Sequence, residues 1–191
     1  MDNIFSHSEL EALSFAKVGN NVKIDRSCRF YNPTRISIGN NVRIDAFSVL
    51  SAGVGGIYLG SFIHLSAYVC ILGAGKVEVG DFASLSVRVT VFSSNDDYSG
   101  EFMANPTIDS KFTHVDSGPV TIGRHAVIGA GSVILPNIQI GEGGAVGALS
   151  FVNKNIEPFT IVGGIPAAMI KERSRKLLEV EKEFQQNKIQ S

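Results

Sequence analysis

An aliphatic residue returns every six positions in the stretch between residues 122 and 152, at Ile122, Ile128, Ile134, Ile140, Val146 and Val152. A period of six matches neither the roughly 3.6 residues per turn of an α-helix nor the two-residue alternation of one long strand. It therefore indicates a repeating structural unit, and the natural unit is a short strand followed by a turn.

The six-residue units are grouped into a longer repeat. An aliphatic residue followed by glycine recurs at intervals of 20, 21, 20, 43 and 18 residues, starting at Val18, Ile38, Leu59, Val79, Ile122 and Ile140. Most intervals hold three six-residue units and a few extra residues, while the longest also contains an insertion of 25. Three equal sides predict a triangular coil, and about six coils stacked about 4.8 Å apart predict a prism. We expect the glycine after each lead residue to supply the backbone conformation of a tight corner.

Residues at the same offset in successive coils form vertical columns on this prism. The fifth position after each lead residue is expected to point outward and contains Lys23, Arg43, His64, Ser84, Val127 and Ala145. The eighth position is mostly small and contains Arg26, Ala46, Ala67, Val87, Ala130 and Ala148. A slender ligand or another backbone could approach closely along this second column.

The flanking segments predict three parts in the chain. Residues 1–17 form an N-terminal helical cap, with a helix over residues 6–16, Ser8 as its N-cap and Glu11 completing a capping box. Residues 18–167 form the coils, with a polar loop inserted at residues 92–119, and an insertion this long is usually functional or disordered. Residues 168–191 form a C-terminal helix with a plausible apolar face.

Composition excludes several classes of partner. A net charge of -1 and a pI of about 6.4 give no electrostatic reason to expect nucleic acid or an anionic membrane. The sequence contains no apolar run of the roughly 18 residues that a membrane span needs, and no signal peptide pattern, which predicts a cytoplasmic protein. Cys28 and Cys70 form no metal-spaced cluster, and we expect two buried or half-buried thiols.

Six-residue repeats that end in G-[IV]-P-A, here residues 164–167, and continue into a basic segment resemble the hexapeptide-repeat acyltransferases. The resemblance covers about residues 18–173. It implies a mainly β fold, the left-handed parallel β-helix, and a homotrimer; the handedness comes from the resemblance alone. The chain is most similar to the sugar acetyltransferases of this family, which implies acetyl-CoA as co-substrate, no metal, and a sugar or nucleotide sugar as acceptor.

The resemblance also implies where acetyl-CoA binds. The family holds it between adjacent subunits, beside the small residues that here are Ala130 and Ala148. Lys154, Lys171 and Arg173 are implied contacts for the CoA phosphates, although solvated surface side chains are the alternative. Val127 stands where family members often have a tryptophan, so stacking on the cofactor is lost.

The catalytic base is where the chain departs from maltose and galactoside acetyltransferases, whose loop carries a histidine. This loop offers Asp96 and Asp97 at that point, which either serve the site or form an Asx-turn. His114 ends the loop and His64 points outward from the third coil, so both are candidate bases. We expect His7 and His125 to be surface residues.

An amine needs less activation than a hydroxyl, because a deprotonated amine already attacks a thioester. The acidic loop therefore slightly favours N-acetylation of a nucleotide-linked amino sugar for bacterial surface polysaccharides, by direct attack with backbone amides stabilising the oxyanion. O-acetylation of a sugar hydroxyl remains an alternative, as does a non-catalytic assembly module. A zinc site would need three converging histidines, and His64, His114 and His125 include no close pair.

Overall fold

The computed structural model describes residues 3–189, and its strands follow the predicted repeat. Each of six complete coils contributes three short strands. In chain order, the first three coils contain β1 (Lys17–Val18), β2 (Lys23–Ile24), β3 (Arg29–Tyr31), β4 (Ile36–Ile38), β5 (Arg43–Ile44), β6 (Val49–Ala52), β7 (Ile57–Leu59), β8 (His64–Leu65) and β9 (Cys70–Gly73). The fourth coil and the loop after it contain β10 (Val77–Val79), β11 (Ser84–Leu85), β12 (Thr90–Phe92), β13 (Ser94–Asp96) and β14 (Val115–Ser117). The remaining coils contain β15 (Val120–Ile122), β16 (Val127–Ile128), β17 (Val133–Ile134), β18 (Gln139–Ile140), β19 (Ala145–Val146) and β20 (Phe151–Val152), and β21 (Thr160–Gly163) begins a seventh.

Equivalent strands of successive coils pair in parallel and form three faces. Face one has the order β1-β4-β7-β10-β15-β18, face two has β2-β5-β8-β11-β16-β19-β21, and face three has β3-β6-β9-β12-β17-β20. The chain is thus a left-handed parallel β-helix of triangular cross-section, as predicted. It is one partial coil longer than the six that the repeat indicated.

The core is the stack of aliphatic ladders inside the prism. The predicted series from Ile122 to Val152 is buried throughout, with relative exposures of 0 to 4%. Burial of each such side chain contributes about 1.5–3 kcal/mol, so the ladders are the main source of stability. Of the two cysteines, Cys28 is buried and Cys70 is half-buried, as predicted.

Three corners join the faces. Their geometry shows that the glycine after each lead residue does not have the predicted role of supplying the corner conformation. The first corner joins faces one and two, the second joins faces two and three, and the third joins faces three and one. The positive φ of the first corner occurs three residues after each lead residue, as at Asn41 (φ 57°) and Phe62 (φ 59°). The glycine is required by close packing instead, because a Cβ on Gly39 would lie 2.4 Å from the carbonyl oxygen of Gly60 in the next coil.

The predicted outward column on face two is confirmed by the strand register. His64 pairs with Arg43 below and Ser84 above, and Ser84 pairs in turn with Val127. Two coils therefore separate His64 from Val127, as the sequence arithmetic indicated. The column continues to Ala145.

The N-terminal helix is shorter than predicted, and its N-cap lies two residues earlier. Helix α1 comprises His7–Ala12, and its capping box uses Ser6 and Glu9, not Ser8 and Glu11. Glu9 also forms an ion pair with Arg26 of the first coil, at 2.5 Å, which fastens the cap to the prism. Residues 1–2 of the predicted cap lie outside the described residues.

The C-terminal segment is not one helix. Its first part, β22 (Ala168–Glu172), pairs antiparallel with β21 on face two, and helix α2 occupies only Leu177–Ile189. Residues 190–191 lie outside the described part. Among residues 3–189, no helix has the length and apolar character needed to cross a lipid bilayer.

Candidate active site

The inserted loop leaves the third corner and builds a cavity over face three. Its strands β13 and β14 form an antiparallel pair that stands beside the coils. The cavity of about 710 Å³ has an apolar wall from face three and a more polar wall from the loop, and it is lined by Phe92, Ser94, Asn95, Asp96, Tyr98, Val115, Val133, Leu135 and Phe151. An apolar pocket with a few polar groups is typical of a small-molecule site.

The two loop aspartates, which the sequence could not separate, have different surroundings. Asp96 ends β13, is exposed and lines the cavity. Asp97 accepts hydrogen bonds from the Ser99 hydroxyl at 2.8 Å and the Gly100 amide at 2.9 Å. These bonds, the Ser99 hydroxyl first, lower the pKa of the Asp97 carboxyl. Asp97 thus stabilises an Asx-type turn, whereas the Asp96 carboxylate is free to meet a ligand.

The second corner carries the strip of small residues beside this cavity. Ala130 and Ala148 lie in the coils whose next outward residues on face three, Val133 and Phe151, line the cavity. Within the described residues, the backbone N–H groups of Val87, Ala130 and Ala148 donate no hydrogen bond. The corner thus presents a column of open donors beside the small side chains of Ala130 and Ala148.

Ser86, which the sequence reasoning missed, lies at the same corner one residue before Val87. Its side chain is half-buried, and its hydroxyl forms no hydrogen bond within residues 3–189. The signal was available in the sequence, because Ser86 belongs to the column seven residues after each lead residue. That position is occupied by Asp45 in the second coil, by Ser86 in the fourth and by Gly129 in the fifth.

His64 is placed by a carboxylate that the sequence reasoning also missed. Its Nε2 donates to Asp45 Oδ2 at 2.7 Å, and Arg43 Nε donates to the other oxygen at 2.6 Å. Burial raises the pKa of Asp45, but the hydrogen bonds from Arg43 and His64 outweigh this and leave it below the ordinary value. His64 lies on face two and does not line the cavity that contains Asp96.

His114 does not line the cavity either. Its Nε2 lies 3.0 Å from Asp116 Oδ1, and its ring lies 5.2 Å from that of Phe102 within the loop. The structure therefore brings the backbone of His114 beside the two loop aspartates, since Asp96 pairs with Val115 and the Asp97 amide donates to the His114 carbonyl oxygen at 3.1 Å. His64 lies apart from them on face two.

The predicted phosphate-binding residues occupy three separate places. Lys154 is exposed just after β20, and Lys171 is exposed on β22. Arg173 lies at the first corner, where one Nη donates to the carbonyl oxygens of His125 and Gly143 at 2.9 Å each. Arg173 therefore holds backbone in this structure, while Lys154 and Lys171 are available to an anion.

The prediction that His125 is a surface residue is wrong. Its side chain is only 12% exposed, and its Nε2 lies 2.7 Å from Glu181 of α2, which is 7% exposed. Arg124 binds the other oxygen of Glu181. Burial lowers the pKa of His125, and the adjacent Arg124 charge adds to that effect. Sequence could not show this because α2 reaches His125 from 56 residues away.

No metal centre is formed by the groups described. Across residues 3–189, no set of three or more His, Cys, Asp and Glu side chains is arranged to hold a metal ion.

Known proteins of similar sequence and structure identify the family. The chain is 50% identical over 181 residues to the dTDP-4-amino-4,6-dideoxy-D-glucose acyltransferase of Escherichia coli, covering 95% of this chain and 94% of that enzyme. It matches AntD, an N-acyltransferase from Bacillus cereus solved with dTDP and 3-hydroxybutyryl-CoA, at a TM-score of 0.95 and 42% identity over 100% of both chains.

A serine variant of AntD, solved with dTDP-4-amino-4,6-dideoxyglucose and coenzyme A, matches at a TM-score of 0.94 and 41% identity, over 98% of this chain and 99% of that one. Another AntD variant changes an aspartate that lies ten residues after that serine. No family model matches the chain. Near-full-length identity of 50% and the shared coil architecture nevertheless lead to one conclusion. The chain belongs to the hexapeptide-repeat family of sugar acyltransferases.

Proposed function

We propose that the chain is an acyl-CoA-dependent N-acyltransferase that acetylates the amino group of a dTDP-linked 4-amino-4,6-dideoxy sugar. The observation that carries the proposal is the free carboxylate of Asp96 at the cavity beside the second corner. A carboxylate suits an ammonium substrate, since it attracts the charge and accepts a proton. The relatives named above act on, or bind, an acceptor of this class.

Asp96 and Ser86 are the residues that we assign to the acceptor. AntD variants were solved at a serine and at an aspartate ten residues later. Ser86 and Asp96 have this separation here, whereas the residue ten positions after Ser84 is Ser94. The unpartnered Ser86 hydroxyl supports the assignment, because it is available to a polar group of the sugar or to the thioester.

The reaction needs no covalent enzyme intermediate. Asp96 takes one proton from the ammonium, directly or through water, and the neutral nitrogen attacks the thioester carbonyl carbon. The open N–H groups of the second corner can stabilise the resulting oxyanion. The C–S bond then breaks, the amide forms, and the second nitrogen proton passes to the departing sulfur.

Acyl-CoA is proposed to extend along the second corner past Ala130 and Ala148. A pantetheine arm can approach the backbone there, and its amide groups can pair with the open N–H donors. Lys154 and Lys171 remain our proposed contacts for the phosphates, because an ammonium serves as an adequate point charge for phosphate.

We further propose a homotrimer that acts in the cytoplasm, where acyl-CoA and nucleotide sugars are made. Exposed apolar side chains surround the second corner, including Val87 (40% exposed), Val127 (37%) and Leu149 (70%). A second copy packed there would cover them and close the acyl-CoA groove. Mass measurement in solution tests this, and a particle of one or two 20.4 kDa chains contradicts it.

Acyl transfer is tested with acetyl-CoA and dTDP-4-amino-4,6-dideoxyglucose, by release of free thiol and the mass of the product. dTDP-glucose, which lacks the amine, is the matched acceptor for O-acetylation, and 3-hydroxybutyryl-CoA tests the choice of acyl group. We expect thiol release with the amino sugar alone. Absence of release with every acceptor contradicts the proposed function, and release with dTDP-glucose alone favours O-acetylation.

A further inference from the structure

The lower half of the second corner differs from the half that carries Ala130 and Ala148. Phe47 and Tyr68, in the second and third coils, stack with ring centroids 5.0 Å apart and planes 22° apart. The guanidinium carbon of Arg88, in the fourth coil, lies 5.8 Å from the Tyr68 ring centroid. We call Phe47, Tyr68 and Arg88 the second-corner ladder.

All three residues of the second-corner ladder adopt an unfavourable backbone conformation. Their φ values are 61°, 62° and 60°, a region that bulky side chains rarely occupy. The conformation recurs at corresponding corners along the prism, so the geometry of the coils enforces it. At the first corner, Phe62 and Phe82 have the same conformation, but Phe184 of α2 packs on both.

The second-corner ladder has no such cover within the described residues. Phe47 is 53% exposed and Tyr68 is 47% exposed. Arg88 is exposed and forms no ion pair with any carboxylate of residues 3–189. Two flat apolar rings and an uncompensated guanidinium favour an anionic ligand that also has a planar ring, since bases stack on aromatic side chains and arginine binds phosphate.

We propose that the second-corner ladder is the subsite for the nucleoside diphosphate part of the acceptor. Arg88 binds the diphosphate, and Tyr68 and Phe47 contact the pyrimidine and its sugar. The order of groups supports this arrangement, because Arg88 lies two residues from Ser86, and the two rings lie one and two coils lower, over about 9.6 Å. An acceptor with its diphosphate on Arg88 places its amino sugar at Ser86, below the small residues that hold acyl-CoA. This inference rests on the proposed function for the identity of the acceptor.

Calorimetric titration with dTDP tests the subsite without any acyl transfer. We expect Tyr68→Ala and Arg88→Ala each to weaken dTDP binding at least tenfold and to leave CoA binding unchanged. Arg88→Ala should also flatten the dependence of dTDP affinity on salt, because it removes the phosphate contact, whereas Tyr68→Ala should preserve it. The matched controls are Tyr58→Ala and Lys76→Ala, which break a similar cation–ring pair of 5.2 Å on the far side of the prism and should change dTDP affinity less than twofold.

Three results would overturn the subsite. They are failure of the wild-type protein to bind dTDP, unchanged dTDP affinity in both ladder variants, and dissociation of the oligomer by those variants, which would make the ladder an interface between copies. Failure of the proposed function is a separate result, because dTDP binding that is lost in the ladder variants supports the subsite even if no amine is acylated.

Discussion

The first and second corners of the prism are built on the same backbone geometry, but the chain treats them differently. At the first corner, Phe62, Phe82 and His125 stack at 4.8 and 5.0 Å, and α2 lies over them. At the second corner, the ladder of Phe47, Tyr68 and Arg88 is followed by Gly131 and the exposed Leu149. One corner is covered by the protein's own tail and the other is open.

This comparison indicates that a regular repeat can form a binding site at a corner that no other segment of the chain covers. Large corner side chains at positive φ, such as Phe62 and Tyr68, lie on the outside of the coils, where their apolar surface favours a covering element or a ligand. Glu181 and Phe184 supply that cover at the first corner. We infer that acyl-CoA and the nucleotide supply it at the second corner, which makes the first corner a determinant of stability and the second a determinant of binding.

The largest expected effect is a loss of turnover when the Asp96 carboxylate in the cavity is replaced. Asp96→Asn keeps the shape of the side chain and removes the proton acceptor, so we expect turnover to fall about 100-fold or more, with CoA affinity unchanged. Steady-state kinetics and calorimetry measure the two quantities. Asp97→Asn is the matched control and should lower turnover far less; equal losses for both variants would mean that the loop turn, and not the Asp96 base, matters.

A bulky residue on the open corner should block the co-substrate. Ala148→Trp covers the free N–H groups, and we expect the KM for acetyl-CoA to rise at least tenfold while the unfolding temperature stays constant. Asn20→Trp, an exposed corner position on the covered side, is the control and should leave KM unchanged. A normal KM in Ala148→Trp would remove the second corner from the CoA site.

The covered corner should respond in stability and not in catalysis. Glu181→Ala removes the buried carboxylate between Arg124 and His125, and loss of a charged hydrogen-bonding partner costs about 2–3 kcal/mol. For a chain of this size, the unfolding temperature should fall by about 5–10 °C. Scanning calorimetry measures this, with the exposed Glu183→Ala on the same helix as control. A large loss of acetyl-CoA affinity in Glu181→Ala would contradict the division between the corners.

The smallest effect is a dependence of stability on pH at the covered corner. Burial lowers the pKa of His125 below its unfolded value of about 6.5. The unfolded chain therefore binds more protons just below that pH, and this contribution is complete above about 6.5 and is lost as the pH falls toward the folded pKa. The slope cannot exceed about 1.4 kcal/mol per pH unit for one group.

Urea unfolding at several pH values measures that slope. His125→Asn tolerates positive φ and does not titrate, so it should flatten the curve just below pH about 6.5. An identical slope in wild type and His125→Asn would assign the proton to another group.

Periodicity was sufficient to predict the stack of triangular coils and the column of each outward residue, whereas the left-handed β-helix was implied by the family resemblance. The pairing of His64 with Arg43 and Ser84 followed from counting alone, because residues of equal offset are forced into register by the inward ladder. The same arithmetic placed Ala130 and Ala148 at one corner. It would also have placed Asp45 beside His64, since both positions follow from the repeat.

The structure of the inserted loop and of the terminal segments could not be predicted by counting repeats. Asp96 and Asp97 are adjacent and chemically identical, and only the fold of the loop turned one into the cavity and the other into a turn. The corner glycines were misread for a related reason. Their role depends on the distance to the neighbouring coil, as between Gly39 and Gly60, and local backbone preference does not contain that distance.

The sequence by itself determined the stack of triangular coils, the number of complete coils and the small-residue strip, because each follows from counting six-residue units. Only the tertiary structure decided which corner α2 covers, where β22 pairs, and that His125 is buried against Glu181. These depend on contacts between segments far apart in the chain, whose energies come from surfaces that no repeat specifies. The aliphatic ladder from Ile122 to Val152 builds the scaffold, and the uncovered corner beside it is where we propose that the substrates bind.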